Sequence, residues 1–171
     1  YQSFMVICSI ISVMLILFLE LRLTEYLRKK DLLASDYDQL TQLFTRPHFE
    51  QDAAKILRRN KNSKFMLVEA DIQDFKFINQ NFGIETGDKL LSYFARLLSN
   101  HVEKNKGIIC RGYADHFYYI MKVESVQKAM KEFKTHLAFI NECIKNYEIQ
   151  FFPKFGITFY IPQAEDLPKK S

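Results

Sequence analysis

The chain has 171 residues and a formal net charge of +4, enough for one domain of ordinary size with an appendage and for a core that needs no staples. Its basic residues form only short clusters, RKK at 28–30 and LRRNKNSK at 57–64. With no long stripe interleaved with aromatics, the composition argues against a nucleic-acid binder. Cys8, Cys110 and Cys143 lie among apolar residues without paired or metal-ligand spacing, so a reduced, intracellular setting is the simpler assumption.

The N-terminus stands apart. Residues 1–19 carry no charge, and that length is about what a helix needs to cross the hydrocarbon core. The sequence therefore predicts a transmembrane helix over 1–21. A buried core helix or the apolar part of a signal peptide would read similarly, but the flanking ELRLTEYLRKK lacks a cleavage pattern. Arg22, Arg28, Lys29 and Lys30 follow the apolar run directly and put its C-terminal side in the cytoplasm. From there Leu19, Leu23, Tyr26, Lys30, Leu33, Tyr37 and Leu40 alternate at spacings of four and three, a seam flawed at Lys30. The linker 22–37 reads either as a coiled coil that pairs two chains into a homodimer or as an amphipathic helix lying on its own domain.

A turn at TRPHF comes next, with Pro47 suited to a first helical turn. HFEQDAAKILRR then places Phe49, Ala53, Ile56 and Leu57 on one helical face. KFMLVEADI is the continuous apolar run of a buried strand and ends at Asp71. QDFKFINQNFG predicts a short helix with Phe75, Ile78 and Phe82 inward and Gly83 as its C-terminal cap. TGDKLLSYFARLLSNHVEK buries Leu90, Leu91, Phe94, Leu97 and Leu98, and GIICRGYADHFYYIMKV (107–123) reads as a hairpin. VQKAMKEFKTHLAFINECIKNY is a further amphipathic helix, followed by IQFFPKFGITFYIP as two strands or one strand bulged at Pro153 to Gly156. The order helix, β, α, α, β, β, α, β implies an α+β domain with a mostly antiparallel central sheet flanked by helices.

One combination carries chemistry. Asp71 ends an apolar strand and Asp115 sits at the hairpin tip. If those strands are neighbours, the two carboxylates converge and leave room for Mg²⁺, which takes one or two protein carboxylates and fills its octahedron with nucleotide and water. From spacing alone, two solvated loop aspartates are the commoner reading.

DQLTQLFTRPHFE resembles the D-x-L-T-G-L-x-N-R-R-x-F entry of the GGDEF domains of diguanylate cyclases. DIQDFKFINQNFGIETGDKLL is similar to their D-I-D-x-F-K-x-I-N-D-x-x-G-H-x-x-G-D-x-x-L block, RGYADHF stands where they have R-x-G-G-D-E-F, and FPKFGITFY resembles the strand that follows. The resemblance runs from Asp38 to about Leu167, placing the domain at 38–171, broken off before the family's last helix. It implies a nucleotidyl-cyclase-like fold and the condensation of two GTP into cyclic di-GMP, each domain of a dimer holding one GTP with Mg²⁺ or Mn²⁺. Matched position by position, it implies metal ligation by Asp71, the Ile72 carbonyl and Asp115, the last also catalytic. It further implies guanine recognition by Asn79 and Asp88 and phosphate contacts from Lys76 and Arg111.

The departures weigh against turnover. The signature's two glycines are Tyr113 and Ala114, where a left-handed backbone costs a non-glycine residue roughly 1–2 kcal/mol. The Tyr113 ring is expected over space that the family keeps for nucleotide. His116 replaces the second acid: a neutral imidazole can ligate metal but brings no negative charge, and the commoner fate of such a residue is a solvated hairpin position. Gln73, Gln80 and Ile84 also depart, and Lys104 and Gly107 replace the product-inhibition pair, so that inhibitory site is expected to be absent. The expectation is a protein of the bacterial inner membrane with a weak or inactive cyclase domain that binds GTP or regulates a partner, with a downstream phosphodiesterase domain by family analogy. An active cyclase and a purely structural docking module are the alternatives.

Overall fold

The computed structural model describes residues 13–27 and 36–163. The chain divides into two units, Tyr1–Asp36 and Tyr37–Ser171. In the first, residues 13–27 form a helix, α1, with all its described side chains exposed. Residues 1–12 of the expected span and 28–35 of the expected coiled coil lie outside the described residues. Among the described residues no helix is long and apolar enough to cross a membrane, so the span over 1–21 rests on sequence alone.

The second unit follows the order β1 (Phe44–Thr45), α2 (Arg46–Arg59), β2 (Lys64–Ile72), α3 (Phe75–Phe82), α4 (Ile84–Lys104), β3 (Ile108–Arg111), β4 (Phe117–Val123), α5 (Val126–Lys145) and β5 (Pro153–Tyr160). The sheet order is β1-β3-β4-β2-β5. β1 runs parallel to β3, and the other pairings are antiparallel. The α+β class and the mostly antiparallel sheet agree with the sequence. Two details differ. Phe44–Thr45 adds a short strand where only a turn was expected, and β5 is one continuous strand that opens on Pro153, a proline tolerated at the first position of an edge strand.

β2 lies inside the sheet between β4 and β5 and is apolar along one face. Met66, Val68, Ala70 and Ile72 alternate onto one face and join Phe117, Tyr119 and Met121 of β4, Leu90, Leu91, Phe94 and Leu98 of α4, and Phe133, Ile140 and Ile144 of α5 in a single buried cluster. Phe94 is fully buried and meets Phe117 and Phe151 edge to face at centroid distances of 5.4 and 5.7 Å. The opposite face is thinly covered. There α2 lays Phe49, Ala53, Ile56 and Leu57 only half-buried, and Arg46 stands 5.3 Å over the Tyr118 ring.

α3 and α4 meet at Gly83, whose φ of +87° lets the chain break direction between them as the expected cap requires. Phe75 packs on the core and Ile78 is buried, but Phe82 is 53% exposed, contrary to the expected inward face. The helix is only eight residues long, and its last turn swings outward at Gly83 before Phe82 can reach the core.

Candidate functional site

The antiparallel register of β2 with β4 pairs Ala70 with Phe117, so the hairpin tip meets the end of β2. Asp115 crosses that gap: its Oδ2 accepts a hydrogen bond from the Ile72 amide at 3.1 Å. The carboxylate of Asp115 is thereby fixed on the Asp71–Ile72 step. Asp71 has a buried Oδ1 without a hydrogen-bond partner, a carboxylate oxygen that is desolvated and unmatched. Ile72 stands opposite Pro153, while the next residue, Gln73, donates its amide to the Phe152 carbonyl at 2.8 Å. Lys154 lies across from Asp71. Among the described residues no three His, Cys, Asp or Glu side chains cluster as a metal cage. Two carboxylates and a backbone carbonyl are nonetheless the hard, oxygen-only donor set that suits Mg²⁺ or Mn²⁺ with phosphate and water completing the shell. The residues present fit such an ion.

Backbone hydrogen bonds close the hairpin tip. Ala114 adopts φ +50°, the left-handed conformation a glycine would take without strain. The Gly112 amide donates to the His116 carbonyl at 2.8 Å, and the His116 amide to the Tyr113 carbonyl at 2.9 Å, closing the turn. Tyr113 is 58% exposed, and its ring lies 4.4 Å from the His116 ring at the hairpin tip. His116 turns toward β2: its Nδ1 sits 3.3 Å from Glu69 Oε1, which also accepts from the Tyr118 hydroxyl at 3.0 Å. Burial, and then the bond to Glu69, push the Tyr118 phenol up to about 12. A carboxylate at 116 would face Glu69 directly, so the two positions suit each other as His and Glu.

Arg111, expected near phosphate, has its guanidinium engaged within the protein. Nε and Nη2 donate to the Ala114 carbonyl at 2.9 and 2.7 Å, and Nη1 reaches the Asp38 carboxylate at 3.1 Å. Asp38 also accepts from the Thr41 amide and hydroxyl at 2.8 and 2.7 Å. Burial alone would raise the Asp38 carboxyl, but the Thr41 bonds and the Arg111 cation together hold it below the usual carboxylate range. The result is a brace from the start of the domain to the tip that carries Asp115. Arg111→Ala is expected to cost about 1.5–3 kcal/mol, as for a charged hydrogen-bonded pair. Urea denaturation and amide exchange at 113–116 would show it. A loss under about 0.5 kcal/mol would mean that the brace carries no load.

Asn79 packs against Gly87, the neighbour of Asp88, through a missing side chain. Asn79 of α3 has a buried Oδ1 without a partner, lying where a side chain on Gly87 would go. Asp88 follows Gly87 on α4, half-buried at an open cleft of about 680 Å³ shared with Leu40, Ser92, Tyr93, Arg96 and Tyr147. Lys76 is exposed in the first turn of α3. The sequence singled out neither Asp38, Glu69 nor Gly87 for a role. The D-x-x-T spacing of Asp38 and Thr41 was a local signal for the first. Gly87 stands in the matched G-D of the family block, and nothing local marks Glu69.

The family model for the diguanylate cyclase GGDEF domain matches residues 35–170. DgcF of Escherichia coli strain K12, a probable diguanylate cyclase, is 39% identical over 89 residues, which is 50% of this chain and 26% of DgcF. The signaling protein YkoW of Bacillus subtilis strain 168 is 37% identical over 87 residues, 50% of this chain and 11% of YkoW. The matches thus span about a quarter of the first relative's length and less of the second's. Among solved structures, the coiled coil and GGDEF domain of DgcB from Caulobacter crescentus in complex with c-di-GMP superposes with a TM-score of 0.68 at 21% identity, covering 82% of this chain and 77% of that one. At that identity the likeness speaks for the fold.

Proposed function

The chain belongs to the GGDEF family of diguanylate cyclase domains, and on that premise we propose that it is a membrane-anchored cyclic-di-GMP signalling protein whose cyclase domain binds GTP and turns it over weakly or not at all. The observation that carries this reading is the division within the site. Asp71 and Asn79 each keep a buried oxygen without a partner, as groups that await a cation and a base would. The hairpin, in contrast, commits His116 to Glu69 and offers a single acid, Asp115.

In this reading Asp71, the Ile72 carbonyl and Asp115 hold Mg²⁺ or Mn²⁺. A bound divalent ion would neutralise phosphate charge and draw the triphosphate to the end of β2. Asn79 and Asp88 recognise the guanine edge by complementary donors and acceptors, and Lys76 lies on the side of α3 from which a phosphate is reached. Arg111 acts through the hairpin, by holding the Ala114 carbonyl and with it the Asp115 loop. The uncharged run and the basic residues after it supply the anchor and its orientation in the bacterial inner membrane, and the heptad seam supplies a homodimer.

One observation favours a second reading, a cyclase of low activity: Ala114 already holds the backbone conformation of the glycine it replaces. The exposure of Tyr113 counts against a docking module whose pocket is plugged.

Calorimetric titration of the purified chain with GTP and Mg²⁺, and then Mn²⁺, tests the proposal. The expected result is saturable binding that weakens at least about tenfold, or 1.4 kcal/mol, in the double variant Asn79→Ala/Asp88→Ala. Affinity no better than that of the variant would remove the nucleotide role. Cyclic di-GMP formation that disappears in Asp115→Ala would establish the second reading.

A further inference from the structure

Away from the site, α4 and α5 meet through two histidines. His101 and His136 stack with centroids 4.0 Å apart and planes 10° from parallel. The Nε2 atoms of both are buried without a hydrogen-bond partner, and His136 is only 9% exposed. A neutral imidazole tolerates a bare lone pair there. An imidazolium needs an acceptor for the new N–H and a counter-charge for the ring, and a stacked partner in the same state repels it.

The surroundings supply little of either. α4 contributes Lys104, α5 contributes Lys128, Lys131 and Glu132, and the end of β4 contributes Lys122 and Glu124 to the clefts around the pair. Glu124 is taken by Lys128 at 2.8 Å. That leaves Glu132 facing two rings and three lysines among the described residues lining the outer cleft. Burial, reinforced for His136 by His101, lowers both imidazoles, His136 to about 4.

We propose that the stacked His101–His136 pair is an acid-sensitive latch that holds α5 on α4 and releases it on protonation. The sign follows from linkage. Both groups are depressed in the closed state, so closure is fully stable above the ordinary histidine pKa of about 6.5 and weakens as pH falls from there toward the lowered values. The α4–α5 contact also includes Tyr93 stacked on Tyr147 at 4.3 Å and the Tyr93 hydroxyl bonded to the Cys143 carbonyl, so release begins at the histidine end.

Amide exchange across α5 of the full chain at pH 7 and pH 5, corrected for intrinsic rates, tests it together with imidazole proton NMR. The expected result is opening increased on the order of tenfold at pH 5 around residues 132–140. His136→Phe, which keeps a stacked ring that cannot titrate, should abolish the increase, and His101→Phe should reduce it. If both variants fold poorly, the unaltered chain decides: His101 and His136 titrating at about 6.5 with α5 still protected would overturn the latch. An unchanged acid response in a folded His136→Phe would do the same.

Discussion

Gly87→Ala is expected to leave the domain folded and to weaken GTP binding at least about tenfold. Gly87 is buried near the start of α4, and a methyl group built on it collides with Asn79 Oδ1 and comes within 3.2 Å of Phe75 Cζ. The obstacle is a side chain, so the helix can stay and Asn79 must turn. Alanine also gains up to about 1 kcal/mol of helix propensity over glycine, which offsets part of the crowding. The substitution thus separates folding from recognition: the urea midpoint should move little while the GTP isotherm flattens. Unchanged affinity would show that Asn79 does not read the base, and the guanine role would fall with it.

Phe94→Ala is expected to cost about 3–5 kcal/mol, the range for deleting a buried aromatic ring. Few domains with a total of 5–15 kcal/mol tolerate that well. Phe94 is fully buried, and its ring touches Phe117 at the start of β4 and Phe151 just before β5. Those two residues flank the hairpin and the strand that carries Lys154, so the cavity would loosen the sheet at the end where Asp71 and Asp115 meet. Urea unfolding followed by far-UV circular dichroism measures it. A loss under about 1 kcal/mol would mean that Phe151 and Phe155 collapse into the space.

Between them, these two substitutions bracket what the departures from the family pattern did. The core beneath the site is intact, built of large apolar side chains with almost no exposure. Asn79 and Asp88 match the family pattern and Asn79 Oδ1 lies where a Gly87 side chain would go, whereas His116 stands in place of the signature's second acid and lies against Glu69. The departures are distributed along the chain, with Gln73, Gln80 and Ile84 upstream as well as Tyr113, Ala114 and His116 at the hairpin.

Much of the fold was legible along the chain. The run KFMLVEADI reads as a strand, and in the fold it buries Met66, Val68, Ala70 and Ile72 on one face. The 3.6-residue recurrence of Leu90, Leu91, Phe94, Leu97 and Leu98 could only be a helix with one face in the core. Motif order was enough to name Asp71, Asp115, Asn79 and Asp88 as candidates. Phe82 misled because its spacing is helical, while the bend at Gly83 that exposes it depends on where α4 starts.

Periodicity and turn chemistry are properties of neighbouring residues, so the sequence by itself determined the elements, their order and the family. Pairings across the fold are set by strand register and helix packing between segments far apart in the chain. Only the tertiary structure could decide that Arg111 braces Asp38, 73 residues away, that His116 turns to Glu69, 47 residues away, and that His101 stacks on His136. Each of these contacts exists because two distant backbones are held a few ångströms apart by the core between them, a distance that no local pattern encodes.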